Sequence, residues 1–229
     1  MNISKLQIIF DSKTLVDISF EIPSSLALVG QSGSGKSLTL KALLGMLPSS
    51  MKCELEVDAE FEVEVGKNIS FVPQNPFTAL SPLTKIGKQF FIKSEKVEKL
   101  FRAVGLDVEL SDRFAPELSG GQLQRVVIAM ALEQNPKLIL LDEPTTALDP
   151  KTRVMILELL KKLQHTHGFK MLFVTHDMNS AREICEDICV IKEGKIVEYG
   201  RMEDVLNSPQ QQYTKTLIDA NFANRKFRE

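Results

Sequence analysis

Residues Gly30-Gln31-Ser32-Gly33-Ser34-Gly35-Lys36-Ser37 follow an unbroken apolar run, Leu26-Ala27-Leu28-Val29, and precede a stretch of helical character. They match the spacing G-x-x-x-x-G-K-[ST], which demands a buried strand, a tight loop and a helix in that order. The glycines let the backbone curl so that successive N–H groups converge on an anion. The helix that starts there turns its positive end toward the same point. Lys36 then reaches phosphate oxygens as a point charge, and the Ser37 hydroxyl suits Mg²⁺. With glycine near 7% of residues, the pattern arises by chance in roughly one chain in a hundred, and the strand and helix around it lower that further. Residues 30–37 and the next residue, Leu38, are therefore the candidate nucleotide-binding set.

The rest of the chain is built to surround such a loop. Leu6, Ile8 and Phe10 alternate onto one face, and Ile18, Phe20 and Ile22 onto another, as half-buried strands do. Residues 38–47 predict a helix stopped by Pro48. Phe61, Val63 and Val65 alternate with Glu62 and Glu64, which predicts a half-exposed strand beside residues 69–72. From about 75 to 118 the character changes: Pro76, Pro82 and Pro116 appear, with helical periodicity over 88–104. This stretch predicts a mostly helical insertion. Buried helix (126–132), buried strand (138–141), helix (154–163), buried strand (171–175) and a helix near 180–185 follow. Residues 188–191 and 196–199, joined at Glu193-Gly194, predict a hairpin. Strands alternating with helices imply an α/β fold with a parallel sheet.

The 229 residues are 43% apolar and 25% charged, enough for a substantial core, with net charge −2. No basic excess points to nucleic acid. The N-terminus carries charge early and lacks a signal-peptide pattern, and no apolar run approaches the ~20 residues that span a bilayer. If the protein acts at a membrane, other chains span it. Three cysteines, Cys53, Cys185 and Cys189, are too few and too scattered for a disulfide framework, which fits a reducing compartment. Cys185 and Cys189 would share a face if one helix held both. A pair is half a metal site, so they read as small buried apolar residues.

Two further clusters carry chemistry. Leu138-Ile139-Leu140-Leu141 delivers Asp142 and Glu143 to a strand end. Beside a phosphate loop, Asp142 would hold Mg²⁺, through water, and Glu143 would act as general base on the attacking water. Alone, such a pair is most often a solvated strand end. Leu118-Ser119-Gly120-Gly121-Gln122 reads as a helix start: Ser119 is the N-cap and Gln122 completes a capping box. Its two glycines allow close approach to the backbone, so it is either an ordinary capped helix or a second anion site.

Taken in order, these motifs resemble the ATP-binding-cassette (ABC) ATPases, and the likeness runs from about residue 3 to 218. Leu-Ser-Gly-Gly-Gln at 118–122 is that family's signature, lying between the phosphate loop and Asp142 as the family has it. The resemblance implies that Gln74, in Phe-Val-Pro-Gln-Asn-Pro, contacts Mg²⁺ and the water. It implies that Asp149, in Ala147-Leu148-Asp149, belongs to the D-loop, and that His176 contacts the γ-phosphate. It makes Phe10 the nearest match to the ring that stacks on adenine. His165 and His167 gain no role. The implied fold is an α/β P-loop NTPase core with a parallel sheet, an N-terminal antiparallel β subdomain and an inserted helical subdomain at roughly 75–135, all one ABC ATPase domain over 1–229. The implied cofactors are ATP and Mg²⁺.

In that family two cassettes dimerise head to tail, with ATP between the phosphate loop of one and the signature of the other. The implied partners are a second ABC ATPase subunit, two membrane permeases and, indirectly, a solute-binding protein. The implied place is the cytoplasmic face of the plasma or inner membrane, peripherally held, with 75–91 meeting the permease. Phe77-Thr-Ala-Leu-Ser-Pro82, Ala181-Arg-Glu-Ile-Cys185 and Pro209-Gln-Gln-Gln-Tyr213-Thr-Lys-Thr-Leu217 are similar to the peptide/nickel importer branch, with Gln212 where the branch has proline. Some peptide importers carry a cysteine-rich tail that binds an iron–sulfur cluster. No cysteine follows Cys189, so no cluster is expected, which tilts the cargo toward nickel. The rival is a non-transport ABC ATPase acting on nucleic acid or the ribosome, which usually has fused cassettes or long coiled-coil insertions. A second rival, a module that holds ATP without hydrolysis, is opposed by Glu143 and His176.

Overall fold

The computed structural model describes residues 1–223. In chain order the elements are β1 (Asn2–Phe10), β2 (Lys13–Glu21), β3 (Ser25–Val29), α1 (Lys36–Leu43), β4 (Lys52–Asp58), β5 (Ile69–Val72), α2 (Ser94–Ala103), α3 (Gly120–Ala131), β6 (Leu138–Asp142), α4 (Pro150–His167), β7 (Lys170–Thr175), α5 (Met178–Ile184), β8 (Asp187–Lys192), β9 (Lys195–Arg201), α6 (Met202–Asn207) and α7 (Gln212–Ala223). They divide into two units: Met1–Glu62 with Lys170–Glu229, and Val63–Phe169.

The first unit holds two sets of paired strands. β3 lies parallel to β7 on one side and to β8 on the other, with Ala27 opposite both Phe173 and Ile188. Every residue of β3 is buried, so its pattern is continuous rather than alternating. β8 then turns back into antiparallel β9 through the expected Glu193-Gly194 turn, both residues having positive φ. The second set is antiparallel and central on β1, flanked by β2 and β4. Leu6 and Ile8 are fully buried there. Phe10 departs from the expected alternation: a register shift between Ile8 and Ile9 turns it outward, 38% exposed.

Two predicted elements fall elsewhere. Residues 61–64 form no strand, and Val65 makes only an isolated bridge to Ile69. The stretch just before these residues, β4, does form a strand and pairs with β1, with Cys53 opposite Ile8 and Leu55 opposite Leu6. Both stretches alternate, but 61–65 gains only that one bridge to the 69–72 strand it was expected to lie beside. The Cys185–Cys189 pair shares no helix: Cys185 caps the end of α5, Cys189 lies within β8, and both are buried.

The second unit is built on the parallel pair β5 and β6, with Ile69 opposite Leu138. Helix α3 packs on β5, α2 and α4. The helix predicted over 88–104 is shorter: Ile86–Gln89 form a 3-10 turn that ends where Phe90 is extended, and the Gln89 side chain donates to the carbonyls of Ser81 and Thr84 and accepts from Ser81 N–H. α2 starts only at Ser94, and its fully buried Phe101 meets Phe90 with ring centroids 5.9 Å apart. Burying a side chain of that size contributes about 1.5–3 kcal/mol. Among the described residues, no helix is long and apolar enough to cross a membrane.

Candidate functional site

The candidate residues occur in both units. In the first, residues 30–37 form the loop from β3 into α1. Gly35 takes φ 110, a left-handed value that favours glycine, and Val16 stands 3.0 Å from where a Cβ would be. Lys36 is 6% exposed, and its ammonium donates to the carbonyls of Gly30 at 2.7 Å and Gln31 at 3.0 Å. The loop is thus closed on itself by the side chain that carries its charge. Gln31, Ser32, Gly33 and Ser37 are exposed, Ser34 is buried and Leu38 is half-buried. Thr39 Oγ1 donates back to Gly35 O, fixing the first turn of α1.

A clamp that the sequence reading missed holds this loop from outside. Gly194 N–H donates to Ser34 O at 2.9 Å, and Gly194 O accepts from Asp17 N–H at 2.8 Å. A Cβ on Gly194 would stand 2.0 Å from Leu15 O, so only glycine fits where β2 and the hairpin meet. The visible signal was the Glu193-Gly194 turn, which read only as a hairpin. A second contact comes from the C-terminal helix: Gln31 N–H donates to the Tyr213 hydroxyl at 3.1 Å.

His176 follows β7 and is exposed. The turn after it is held by hydrogen bonds. Asp177 N–H donates to Thr175 Oγ1 at 3.0 Å, and the Asp177 carboxylate accepts from Asn179 N–H and Ser180 Oγ, so that it caps α5. Phe10 ends β1 at the Asp11–Ser12 turn, whose residues both have positive φ.

In the second unit, β6 ends at Asp142, and Glu143 follows with φ 44, an unfavourable conformation for a residue with a side chain. Glu143 Oε2 accepts from the Gln74 amide at 3.3 Å and from Thr146 Oγ1 at 2.9 Å. Gln74 and Glu143, 69 residues apart in sequence, thus meet, with one carboxylate oxygen held by two donors. Thr146 was not foreseen. Gln74 is exposed, and the next residue, Asn75, caps a short 3-10 turn by accepting from Phe77 N–H at 3.0 Å.

The predicted capping box stands at the start of α3: Gln122 N–H donates to Ser119 Oγ at 3.3 Å, and Ser119 N–H to Gln122 Oε1 at 2.8 Å. Its glycines differ. Gly120 faces open space, whereas a Cβ on Gly121 would meet Thr152 Cγ2 at 2.6 Å. Asp149 caps α4, accepting from the N–H groups of Lys151 and Thr152. Hydrogen bonds from Thr152, first from its side chain, hold the Asp149 carboxyl below its ordinary range.

Ser37, Gln74 and Asp142 offer a hydroxyl, an amide carbonyl and a carboxylate, hard oxygen donors that fit Mg²⁺. Among the described residues no group of three or more His, Cys, Asp or Glu could hold a metal.

The family model described as ABC transporter matches residues 15–146. The peptidoglycan transport ATP-binding protein YejF of Agrobacterium fabrum is 38% identical over 89% of this chain and 42% of its own length. The oligopeptide transport ATP-binding protein OppD of Bacillus subtilis is 36% identical over 89% of this chain and 64% of its own. The chain thus spans about two fifths and just under two thirds of the lengths of these two relatives. The metal-staphylopine import system ATP-binding protein CntD of Staphylococcus aureus is 32% identical over 91% of this chain and 87% of its own. Among solved structures, cbiO1 from Clostridium perfringens, part of the ABC transporter complex cbiONQ, superposes with TM-score 0.75 at 22% identity, covering 99% of this chain and 96% of that one. Its fold, with parallel strands, an antiparallel N-terminal sheet and helices, is the fold described above. The chain belongs to the ABC transporter family and carries its ATPase domain.

Proposed function

We propose that the chain is the ATP-binding and ATP-hydrolysing subunit that energises an ABC importer, one ABC ATPase domain with its helical segment at roughly 75–135 inserted. The observation that carries this is the loop at 30–37, closed by the buried Lys36 between β3 and α1. A cation held there, with loop amides and the N-terminus of α1, binds the β- and γ-phosphates of ATP. Ser37, Gln74 and Asp142 hold Mg²⁺, which when bound neutralises charge on the phosphate oxygens. Glu143 accepts a proton from the water that attacks the γ-phosphorus, while the bond to the ADP oxygen breaks. Gln74 and Thr146 orient its carboxylate for that task. His176 contacts the γ-phosphate, and Phe10 lies against adenine.

Ser119, Gly120, Gly121 and Gln122, with Asp149, complete the site of a second cassette, and that cassette's signature completes this one. Two permeases and a solute-binding protein make up the importer, with this chain peripheral on the cytoplasmic face. The relatives' names give peptidoglycan, oligopeptides and metal-staphylopine as cargoes, and nickel is the cargo to test first. No observation favours action on nucleic acid or the ribosome.

The test is ATP turnover in liposomes carrying the chain with its permeases, second cassette and binding protein. Replacing Glu143 by Gln keeps ATP binding and lowers turnover about 10²–10⁴-fold. Turnover equal to wild type removes Glu143 from the role of base. Stimulation by nickel chelates alone or by peptides alone assigns the cargo, and stimulation by neither, with basal turnover intact, removes the importer branch while leaving the ATPase.

A further inference from the structure

Helix α7 touches two places that ATP chemistry needs, and none of the motifs requires it to. At its first turn the Tyr213 hydroxyl accepts from Gln31 N–H at 3.1 Å. Gln31 O in turn accepts from Lys36 Nζ at 3.0 Å and from Ser34 N–H at 3.2 Å. One residue at the mouth of the phosphate loop is therefore gripped from both sides, and Tyr213 supplies the outer grip. The ring is itself held, with Lys192 Nζ 5.3 Å from its centroid. Further along α7, Asn221 Oδ1 accepts from Met178 N–H at 3.2 Å, at the start of α5 and two residues after His176. The Asn221 amide also donates to Leu217 O at 2.9 Å, which fixes its orientation. Tyr213, Leu217 and Asn221 recur every four residues, so they share one face. Leu217 is 6% exposed, so that face is seated. The Tyr213 and Asn221 backbones are about 12 Å apart along the helix axis at 1.5 Å per residue.

We propose that α7 is a brace linking the phosphate loop to the turn that carries His176, with Tyr213 and Asn221 as positioning residues for ATP hydrolysis. The proposal rests on the nucleotide reading given above. Filling the loop with phosphate fixes Gln31, Gln31 fixes Tyr213, and α7 transmits that order to the amides behind His176. The two residues that sense and act on the γ-phosphate, Lys36 and His176, are thereby set together rather than separately.

ADP isolates this route, because it fills the phosphate loop yet has no γ-phosphate for His176 to touch. The test is amide hydrogen exchange of the full chain at residues 176–180, with and without saturating Mg-ADP, with binding followed separately by fluorescent-ADP titration. In wild type, ADP slows exchange there about threefold or more. In Tyr213→Phe, which keeps the ring over Lys192 and loses only the hydroxyl, ADP binds about three- to tenfold more weakly. At saturation of that variant the slowing at 176–180 is lost. In Asn221→Ala ADP binds as in wild type and the slowing is lost, while Asn221→Asp, which keeps an acceptor for Met178 N–H, restores it. Wild type that binds ADP without slowing at 176–180, or variants that slow as wild type does, overturn the brace and leave the ATPase standing. Wild type that binds no ADP overturns the nucleotide reading itself.

Discussion

Adjacent glycines in the signature have different reasons to exist. Gly121 lies under Thr152, and an added methyl group would meet the Thr152 Cγ2 at 2.6 Å, too close for either to remain in place. Gly120 meets nothing within 4 Å. Gly121→Ala therefore overpacks the contact between α3 and α4 and costs about 1–3 kcal/mol. Gly120→Ala stays within about 0.5 kcal/mol of wild type. Urea unfolding of the two variants checks this. Equal midpoints would mean that Thr152 moves aside freely. If Gly120→Ala nonetheless abolishes turnover in the assembled importer, the open face of that glycine is where a partner approaches. Glu143 shows the same division within one residue: its left-handed backbone is a local cost, and two donors fix the carboxylate that results.

At the scale of elements, the start of α3 is held by the reciprocal bonds of Ser119 and Gln122. Ser119→Ala removes one acceptor and leaves Gln122 N–H without its cap, costing about 1 kcal/mol, whereas Ser119→Thr keeps the hydroxyl and most of the stability. Thermal unfolding of the two variants distinguishes them. If the alanine variant matches wild type, water caps this helix as well as serine does. This box was legible because it is written in four consecutive residues. So were β3, β6 and β7, whose unbroken apolar runs leave no choice of face. The strand expected at 61–65 was not, because alternation states that one face is buried and not which strand buries it. Lys52–Asp58 alternates equally well and is the stretch that pairs, with Cys53 opposite Ile8. Phe10 was misplaced by a bulge that period-two reading cannot contain. The phosphate loop was plain from its spacing. Its supports at Gly194 and Tyr213 lie more than 150 residues away, and nothing local to either marks it as a partner of the loop.

Over the whole chain, the three thiols divide into one at the surface and two within the core. Cys53 is exposed on β4, while Cys185 and Cys189 are buried. Burial pushes both buried thiols well above their ordinary value of 9.0, and at Cys185 the nearby Asp187 and Glu186 charges add to it. In the unfolded chain both ionise near the ordinary value. Above about pH 9 the unfolded state therefore loses protons that the folded state keeps. Stability is full below that pH and falls as pH rises through it, by about 1.4 kcal/mol per pH unit for each cysteine. Wild type should lose roughly 2–3 kcal/mol more between pH 8 and pH 10 than a Cys185→Ala, Cys189→Ala double variant, as read from urea unfolding at the two pH values. The variant starts from a lower stability because it leaves small cavities, so the comparison lies in the pH dependence and not in the midpoint at either pH. The same burial makes alkylation a gauge of folding. A maleimide added to the native chain labels Cys53, and labelling of the other two follows only as the chain opens. Prompt labelling of Cys189 in the native chain, or equal alkaline losses in the two proteins, would show that β8 is open to water and that burial does not set these thiols.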